Sequence, residues 1–337
     1  MHNEMDWPVI RVIREATDQP APVAALNSPD LPLGLPRPEE VEQRAGGENF
    51  PVASLLLPSG TRPHVLAIYG FARLVDQLGD DAPGDRLALL AWLEEELGRA
   101  YQGRATYPLL RRLSATIAAY QLPMDPFLAL IEANRLDQTQ HRYPTYEDLL
   151  SYCELSANPV GRLVLCLFGA ATPERERWSD AVCTGLQLVE HAQDVKEDAE
   201  RGRIYLPQDD LRALGCDETD LTAPTTSPAL AAVVARLLSR AGALLGEGYP
   251  LVRSLRGRAR LAVAGFVGGG LAAASAIEAN GYEVLATSPR PRKREVGGAV
   301  AVTLWRSRRH DTTAARSPVP PTAPSQQGAV SAKRETA

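Results

Sequence analysis

Apolar residues recur at helical spacing through most of the chain between residues 65 and 280, whereas the alternation typical of strands is scarce. Proline interrupts this pattern at its joints, for example at Pro123, Pro159 and Pro250. Such a chain buries its apolar faces by packing helix on helix, which predicts an all-α, single-domain bundle whose sites lie between facing helices. The predicted helices cover residues 65–80, 85–101, 108–120, 126–140, 146–156, 160–170, 173–200, 227–246 and 258–280.

The two ends of the chain differ in composition from the part between them. Residues 1–36 are rich in proline and polar side chains, and we expect them to form a flexible arm. Residues 311–337 form a low-complexity polar tail that cannot bury enough apolar surface to fold alone. The sequence therefore predicts one helical domain over residues 37–310.

Overall composition narrows the class of protein. With 36 basic and 41 acidic residues the net charge is −5, which gives no reason to expect a nucleic-acid partner. The N-terminus lacks the pattern of a secretory signal, and the four cysteines contain no CxxC pair, so reduced thiols in a cytoplasmic protein are expected. The uncharged stretch 261–277 is short and rich in Ala and Gly, which favours a tightly packed core helix over a membrane span.

An acidic stripe lies within the first of the apolar helices. Tyr69, Arg73, Asp76 and Asp80 are spaced 4, 3 and 4 residues apart and therefore share one helix face. Because burying two carboxylates at i and i+4 without a counterion is costly, this face is either solvated or occupied by a cation.

A second acidic stripe lies near the end of the predicted helix 173–200, and Arg203 and Tyr205 follow it in sequence. A solvated face explains either stripe alone, but two that face each other across a cleft make an oxygen site suited to Mg²⁺. Such a site suits a reaction in which diphosphate leaves and a carbocation forms in a water-poor apolar cavity. The second stripe consists of Gln187, Glu190 or His191, Asp194 and Asp198.

The two stripes resemble the signature motifs of the squalene/phytoene synthase family. The segment IYGFARLVDQLGDDA, at 68–82, resembles the family motif Y-x-x-x-R-x-x-D-D-x-x-D. The segment LQLVEHAQDVKEDAERGRIYLP, at 186–207, resembles Q-L-x-N-x-x-R-D-x-x-E-D followed by R-x-Y-x-P. The resemblance runs from residue 48 to residue 286 and implies an isoprenoid-synthase-type helical bundle with a central apolar cavity.

Three further stretches, at 48–58, 153–165 and 265–285, are similar to the hydroxysqualene synthases of the bacterial hopanoid route. In that route one family member makes presqualene diphosphate, a second converts it to hydroxysqualene, and a flavin-dependent enzyme reduces that product to squalene. The resemblance implies the second step, with Mg²⁺ (or Mn²⁺ in its place) and without NADPH. It also implies functional coupling to a presqualene diphosphate synthase and to a flavin-dependent reductase.

The chain departs from the family motifs at three positions. Gln77 replaces the second aspartate of the first motif, while Glu190 and Gln193 replace the asparagine and the arginine of the second. Losing that arginine removes a donor to diphosphate. An enzyme that holds one diphosphate rather than two fits this change, although Glu190 as a substitute metal ligand explains part of it equally well.

The resemblance also implies roles for particular residues. Tyr205 would orient diphosphate or water, or would only pack at a helix end; Asn158 would line the cavity, or would only turn the chain before Pro159. His191 is expected in the core or behind the ligands. The implied metal ligands and catalytic acids are Asp76, Asp80, Asp81, Glu190, Asp194 and Asp198. The implied substrate-binding residues are Tyr69, Arg73, Gln187, Arg203, Asn158, Val160, Gly161 and Asn49.

Alternative functions remain open at the level of sequence. One is a head-to-head prenyl transferase that makes presqualene diphosphate, squalene or phytoene from prenyl diphosphates such as farnesyl diphosphate. Another is a non-catalytic relative that acts in assembly or interaction, although both aspartate pairs survive here. The basic stretch 290–309 is either a solvated helix or a peripheral contact with the inner face of an anionic membrane.

Overall fold

The structure is a computed structural model that describes residues 60–309, together with residues 32, 35, 36 and 38. Its regular elements over 60–309 are helices, which confirms the all-α prediction, and an isolated parallel bridge joins Arg142 to Ile204. The longer helices are α1 (Arg62–Asp80), α2 (Arg86–Tyr101), α3 (Pro108–Tyr120), α4 (Asp125–Leu136), α5 (Tyr146–Ser156), α6 (Asn158–Leu167), α7 (Pro173–Gln193), α10 (Pro228–Glu247), α12 (Gly257–Ala279) and α13 (Lys293–Arg309). The short ones are α8 (Val195–Glu200), α9 (Gln208–Ala213), a 3₁₀ turn (Glu218–Thr222) and α11 (Tyr249–Ser254).

Local side-chain chemistry explains where several helices begin. Thr145 and Asp148 form a reciprocal capping box at the start of α5. Thr172 accepts a hydrogen bond from the Arg175 amide at the start of α7, and Ser227 caps α10 in the same way. Proline occupies the first turn of α7 and α10, where its missing N–H is not needed.

The structure corrects the predicted helix 173–200. The backbone at Asp194 has φ −100° and ψ 16°, which ends α7 and starts the short α8. Helices α9 and α11 were not predicted, because six-residue helices carry too little periodicity to stand out. Helix α13 lies in the basic stretch 290–309, for which the sequence allows either a solvated helix or a membrane contact.

Apolar side chains form two core clusters that meet inside the bundle. One gathers α1 to α4 around large buried residues such as Phe71, Leu90 and Phe127. The other gathers α7, α10 and α12 around residues such as Leu188 and Val234. The acidic stripes belong to helices of different clusters, so the fold places the candidate site where the two clusters adjoin.

Close approach of two helices holds α13 in the bundle. A Cβ atom on Gly268 of α12 would lie 2.7 Å from the backbone nitrogen of Val300 on α13. Thr303 and Ser307 on the same side of α13 are fully buried. Only a glycine at 268 therefore lets the two backbones come this close.

Two helical stretches, Pro228–Ser254 and Gly257–Ala279, are long and apolar enough to cross a membrane by length and composition alone. Core helices of globular proteins have the same properties. Residues along much of α12, among them Val263, Val267 and Ile277, are buried against neighbouring helices. This burial confirms the prediction of a packed core helix for residues 261–277.

Several sequence predictions lie beyond what the structure describes. The flexible arm at 1–36 and the tail at 311–337 fall almost entirely outside the described residues, so the domain boundaries stay predictions. The central apolar cavity also stays a prediction. The four cysteines, by contrast, are all described and all free, as predicted.

Candidate active site

The first acidic stripe lies along α1, with its polar face toward α4 and the segment after α8. Arg73 Nη1 lies 3.4 Å from Asp76 Oδ2, and Asn134 Nδ2 of α4 donates to Asp76 Oδ1 at 3.4 Å. Buried residues on the opposite side of the helix, such as Val75 and Leu78, anchor α1 in the core. Helical spacing therefore does place these polar groups on one face, as predicted.

An ion pair joins the first stripe to the end of the second motif. Arg203 Nη2 lies 2.5 Å from Asp80 Oδ1, and the two side chains are 13% and 25% exposed. The bridge between Arg142 and Ile204 fixes the backbone immediately after Arg203. Asp80 and Arg203, which lie 123 residues apart in sequence, thus bring the two motifs together through this contact.

The second stripe follows a bent path. The Asp194 amide donates to the Glu190 carbonyl at 2.9 Å, and the Asp198 amide donates to the Asp194 carbonyl at 2.8 Å. The i to i+4 spacing of the backbone therefore continues through the bend, although α7 ends there. Asp194 is exposed at the bend, whereas the Asp198 side chain is only 20% exposed.

Burial and like charge make Asp198 an unusual carboxyl group. Desolvation, reinforced by the negative charge of Asp194, raises the pKa of Asp198 to about 8, against the opposing charge of Arg203. Desolvation and Glu197 raise the pKa of Asp194 as well. A cation at this pair would relieve the repulsion that holds these pKa values up.

Desolvation also raises the pKa of Asp76, with Asp80 adding to the rise and Arg73 opposing it. The Asp76 side chain is nevertheless 48% exposed. With its pKa raised only to about 6, Asp76 is ionised at neutral pH.

A stack of aromatic rings lies beside the second stripe. The Tyr205 ring stacks on His191 at 4.0 Å between centroids, with 14° between the planes, and on Tyr143 at 5.6 Å. His191 is 5% exposed, and burial lowers its pKa to about 3, so the imidazole stays neutral at pH 7. His191 Nδ1 lies 4.0 Å from Asp198 Oδ2, so the buried imidazole lies in the core beside that carboxylate.

Asp137 is a functional candidate that sequence reasoning missed. Its carboxylate is 5% exposed and accepts hydrogen bonds from Tyr152 Oη at 2.7 Å and from Tyr205 Oη at 3.2 Å. Desolvation raises the Asp137 pKa to about 6, while these hydrogen bonds and the charge of Arg203 lower it. The sequence signal was available, because Asn134 and Asp137 continue the buried stripe of α4 with polar residues.

Four predicted residues lie at the edge of this arrangement. Asp81 follows the last residue of α1 and is exposed, and Glu190 is exposed on α7. Gln187 Nε2 lies 3.4 Å from His191 Nε2, and Tyr69 is half-buried on α1. Their roles toward metal or substrate stay predictions.

The kink between α5 and α6 has a packing explanation. Asn158 is 4% exposed and accepts a hydrogen bond from Thr184 Oγ1 of α7 at 3.0 Å. A Cβ on Gly161 would lie 2.4 Å from Ser179 Oγ and 2.5 Å from Cys183 Sγ, so the glycine lets α6 approach α7. Contact of Asn158, Val160 and Gly161 with substrate stays a prediction, and Asn49 lies outside the described residues.

The carboxylates of the two motifs lie in pairs rather than in a closed cage. Among the described residues, no three His, Cys, Asp or Glu side chains lie close enough together to hold a metal ion by themselves. Mg²⁺ usually takes one or two carboxylates and completes its shell with water and substrate phosphate. Asp76 with Asp80, and Asp194 with Asp198, are electrostatically coupled carboxylate pairs of this kind.

Comparison with known proteins agrees with the two motifs. The family model of squalene/phytoene synthase matches residues 43–305. The hydroxysqualene synthase of Rhodopseudomonas palustris is 38% identical over 214 residues, which cover 62% of this chain and 72% of the relative. The phytoene synthase of Thermus thermophilus is 35% identical over 222 residues, which cover 66% of this chain and 76% of the relative.

Solved structures share the fold. The squalene synthase HpnC of Alicyclobacillus acidocaldarius aligns with a TM-score of 0.68 and 46% identity, covering 73% of this chain and 94% of that protein. A dehydrosqualene synthase with a bound ligand aligns with a TM-score of 0.70 at 22% identity, a likeness of fold. Since the family model spans most of the chain and includes both acidic motifs, this protein is an enzyme of the squalene/phytoene synthase family, which acts on isoprenoid diphosphates.

Proposed function

We propose that this enzyme converts presqualene diphosphate and water to hydroxysqualene and diphosphate. The C–O bond to diphosphate breaks heterolytically, with the electron pair leaving on the diphosphate. The resulting cation rearranges, and a water oxygen bonds to carbon and loses one proton to an acceptor in the carboxylate-lined site. No hydride is transferred in this sequence, so NADPH has no part in it.

The environment of Gln193 carries the proposal. At the position where the family resemblance expects an arginine, Gln193 Nε2 donates to the Pro289 carbonyl at 3.2 Å. Its side chain therefore ties the end of α7 to the segment after α12 and carries no charge toward a diphosphate. Gln77, where the resemblance expects an aspartate, is likewise neutral, and its Oε1 accepts no hydrogen bond from the described residues. A site that lacks the guanidinium of that arginine has one fewer donor for phosphate oxygens, which suits one diphosphate better than two.

Charged residues of both motifs would bind the diphosphate end of the substrate. Arg73 and Arg203 are the guanidinium groups that adjoin Asp76 and Asp80, and each would donate to phosphate oxygens. Bound Mg²⁺ would neutralise charge on the leaving diphosphate. The metal would be held by Asp76, Asp80, Asp194 and Asp198, with Asp81 and Glu190 assisting. Mn²⁺ would serve in place of Mg²⁺.

The Asp137 cluster supports the capture of the cation by water. Tyr152 and Tyr205 each donate a hydrogen bond to Asp137, so their hydroxyl oxygens remain available as hydrogen-bond acceptors. A water that donates a hydrogen bond to one of these oxygens would direct a lone pair of its own oxygen toward the cation. We assign Tyr205 this orienting role because it lies two residues after Arg203 and interacts electrostatically with the Arg203 guanidinium.

Incubation with presqualene diphosphate and Mg²⁺, without NADPH, tests the proposal. We expect hydroxysqualene, and in water enriched with ¹⁸O the product alcohol should carry the label. A hydrocarbon as the only product, or turnover that requires NADPH, would contradict it.

A second candidate is the head-to-head condensation of two prenyl diphosphates. The 35% identity to the Thermus thermophilus phytoene synthase favours it. Incubation with farnesyl diphosphate or geranylgeranyl diphosphate alone distinguishes the two reactions, since only a condensing enzyme releases diphosphate from these substrates.

A further inference from the structure

A cluster of exposed arginines covers one end of the helix pair α12 and α13. We call it the basic surface and define it by Arg253, Arg256, Arg258, Arg306 and Arg308, all of which are exposed. Arg260 Nη2 of α12 donates to Ser307 Oγ of α13 at 3.3 Å. Arg306 Nη1 lies 3.3 Å from Tyr249 Oη of α11. These contacts bring the end of α13 together with α11 and the start of α12, so arginines from separate helices share one region.

Large apolar side chains are exposed in the same region. Trp305 is 50% exposed and Val302 is 45% exposed on the outer side of α13, while Thr303 and Ser307 on its inner side are fully buried. Leu261, one residue from the Arg260 contact, is 38% exposed at the start of α12. A tryptophan and two aliphatic side chains are therefore partly exposed beside these arginines.

The stretches of sequence that carry these arginines contain few acidic residues. The sequence holds no Asp or Glu from residue 248 to residue 277, and none from residue 296 to residue 310. Glu174 and Glu176 flank Arg175 on α7, and Arg175 bonds to Ser254 at the end of α11. They border the surface at the start of α7, whereas the protein as a whole carries a net charge of −5.

We propose that the basic surface docks on a bilayer that contains anionic lipid. Arginines attract anionic headgroups, and each contributes about a fivefold change in binding near such a surface at low salt. Trp prefers the depth of the lipid headgroups, where its ring is apolar and its N–H is wet. A nucleic acid would use the arginines but would leave Val302 and Leu261 exposed, so the mixture of charge and apolar area favours lipid. This inference does not depend on which reaction the enzyme catalyses.

Sedimentation of the full chain with vesicles tests the docking surface. We expect binding to phosphatidylcholine vesicles that contain phosphatidylglycerol, little binding to phosphatidylcholine alone, and weaker binding as salt rises. Arg308→Gln and Arg256→Gln should each weaken binding about fivefold. Trp305→Ser should weaken it about tenfold, because an apolar anchor is removed.

Matched substitutions elsewhere provide the control. Leu87 on α2 is 49% exposed and Arg212 at the end of α9 is exposed, so Leu87→Ser and Arg212→Gln should bind vesicles like the unaltered protein. Circular dichroism and thermal melting of each variant separate loss of binding from loss of folding. The proposal is overturned if no vesicle binding occurs at low salt, if neutral vesicles bind equally well, or if the control variants weaken binding as much as Trp305→Ser. Binding of duplex DNA without binding of vesicles would assign the surface to nucleic acid instead.

Discussion

Arg203 connects the two acidic stripes through its charge. It pairs with Asp80 at 2.5 Å, and its positive charge also lowers the pKa values of Asp137 and Asp198. Neutralising a single aspartate therefore has two opposite effects on protein stability. It relieves repulsion between like charges, which stabilises the fold, and it removes an ion pair wherever that aspartate makes one, which destabilises the fold. Different aspartates of the same motif should respond differently.

Asp194→Asn should abolish turnover while leaving the metal-free protein as stable as before or slightly more stable. Asp194 makes no side-chain capping bond at the start of α8, and its charge repels Asp198. Diphosphate release and thermal melting in EDTA measure the two effects. Glu200→Gln, an exposed acid at the end of α8, should change neither quantity. Normal turnover in Asp194→Asn would remove this residue from the metal site.

Asp80→Asn should also abolish turnover, but it should lower stability. It leaves the Arg203 guanidinium, which is only 13% exposed, without its carboxylate partner. We expect a loss of about 1–3 kcal/mol in the free energy of unfolding. Urea unfolding in EDTA measures it, and a melting temperature above that of the unaltered protein would refute this account of the ion pair.

Asp137 should make the stability of the protein depend on pH. Unfolded, this carboxyl ionises near its ordinary pKa of 3.8, whereas in the fold it keeps its proton until about pH 6. The protonated Asp137 therefore stabilises the fold fully below about pH 4. As the pH rises through 6 this stabilisation is lost, and the free energy of unfolding falls by about 3 kcal/mol. Urea unfolding of Asp137→Asn should show a shallower fall in stability over this range.

Tyr152→Phe sharpens the same test. It removes the 2.7 Å hydrogen bond that lowers the Asp137 pKa, so the fall in stability should extend above pH 6. Identical pH profiles for Asp137→Asn and the unaltered protein would show that this carboxyl does not titrate as described.

At the scale of elements, a single glycine controls how α13 packs on α12. Gly268→Ala should cost about 1–3 kcal/mol, because the new Cβ would lie within 3 Å of three Val300 atoms. Gly269 is the matched control on the same helix, since a Cβ there meets nothing within 4 Å. Gly269→Ala should stabilise the protein by up to about 1 kcal/mol through helix propensity.

Thermal melting of the two glycine variants gives a direct comparison. Equal melting temperatures would mean that α13 shifts to accept the methyl group. Vesicle binding of Gly268→Ala would then report whether the basic surface depends on this packing.

At the scale of the whole molecule, α13 should mark the end of the folded domain. A chain that stops after His310 should be folded and active, because residues 311–337 have no periodic apolar face. A chain that stops before Lys293 should be destabilised, because it exposes the side of α12 that α13 covers. Melting and diphosphate release by both truncations test the boundary, and an inactive 1–310 chain would show that it was misplaced.

The helical periodicity of the sequence determined the fold class, and it placed Asp76 and Asp80 on one face of α1 because an α-helix converts spacing directly into geometry. The motifs likewise predicted Arg203 and Tyr205 as site residues. The pattern could not predict the bend at Asp194, because the same residues satisfy i to i+4 spacing on both sides of it. Periodicity reports which face is buried, but it does not report the angle between successive helices.

Only the tertiary structure decided which distant residues meet. Three contacts join segments that are far apart in sequence. They are the Arg203–Asp80 pair, the Asp137 cluster with Tyr152 and Tyr205, and the approach of Val300 to Gly268. Such contacts depend on how whole helices pack, and packing is set jointly by many side chains that no local window contains. The sequence by itself thus determined the longer helices and the chemical groups of this enzyme, while packing decided their partners and their pKa values.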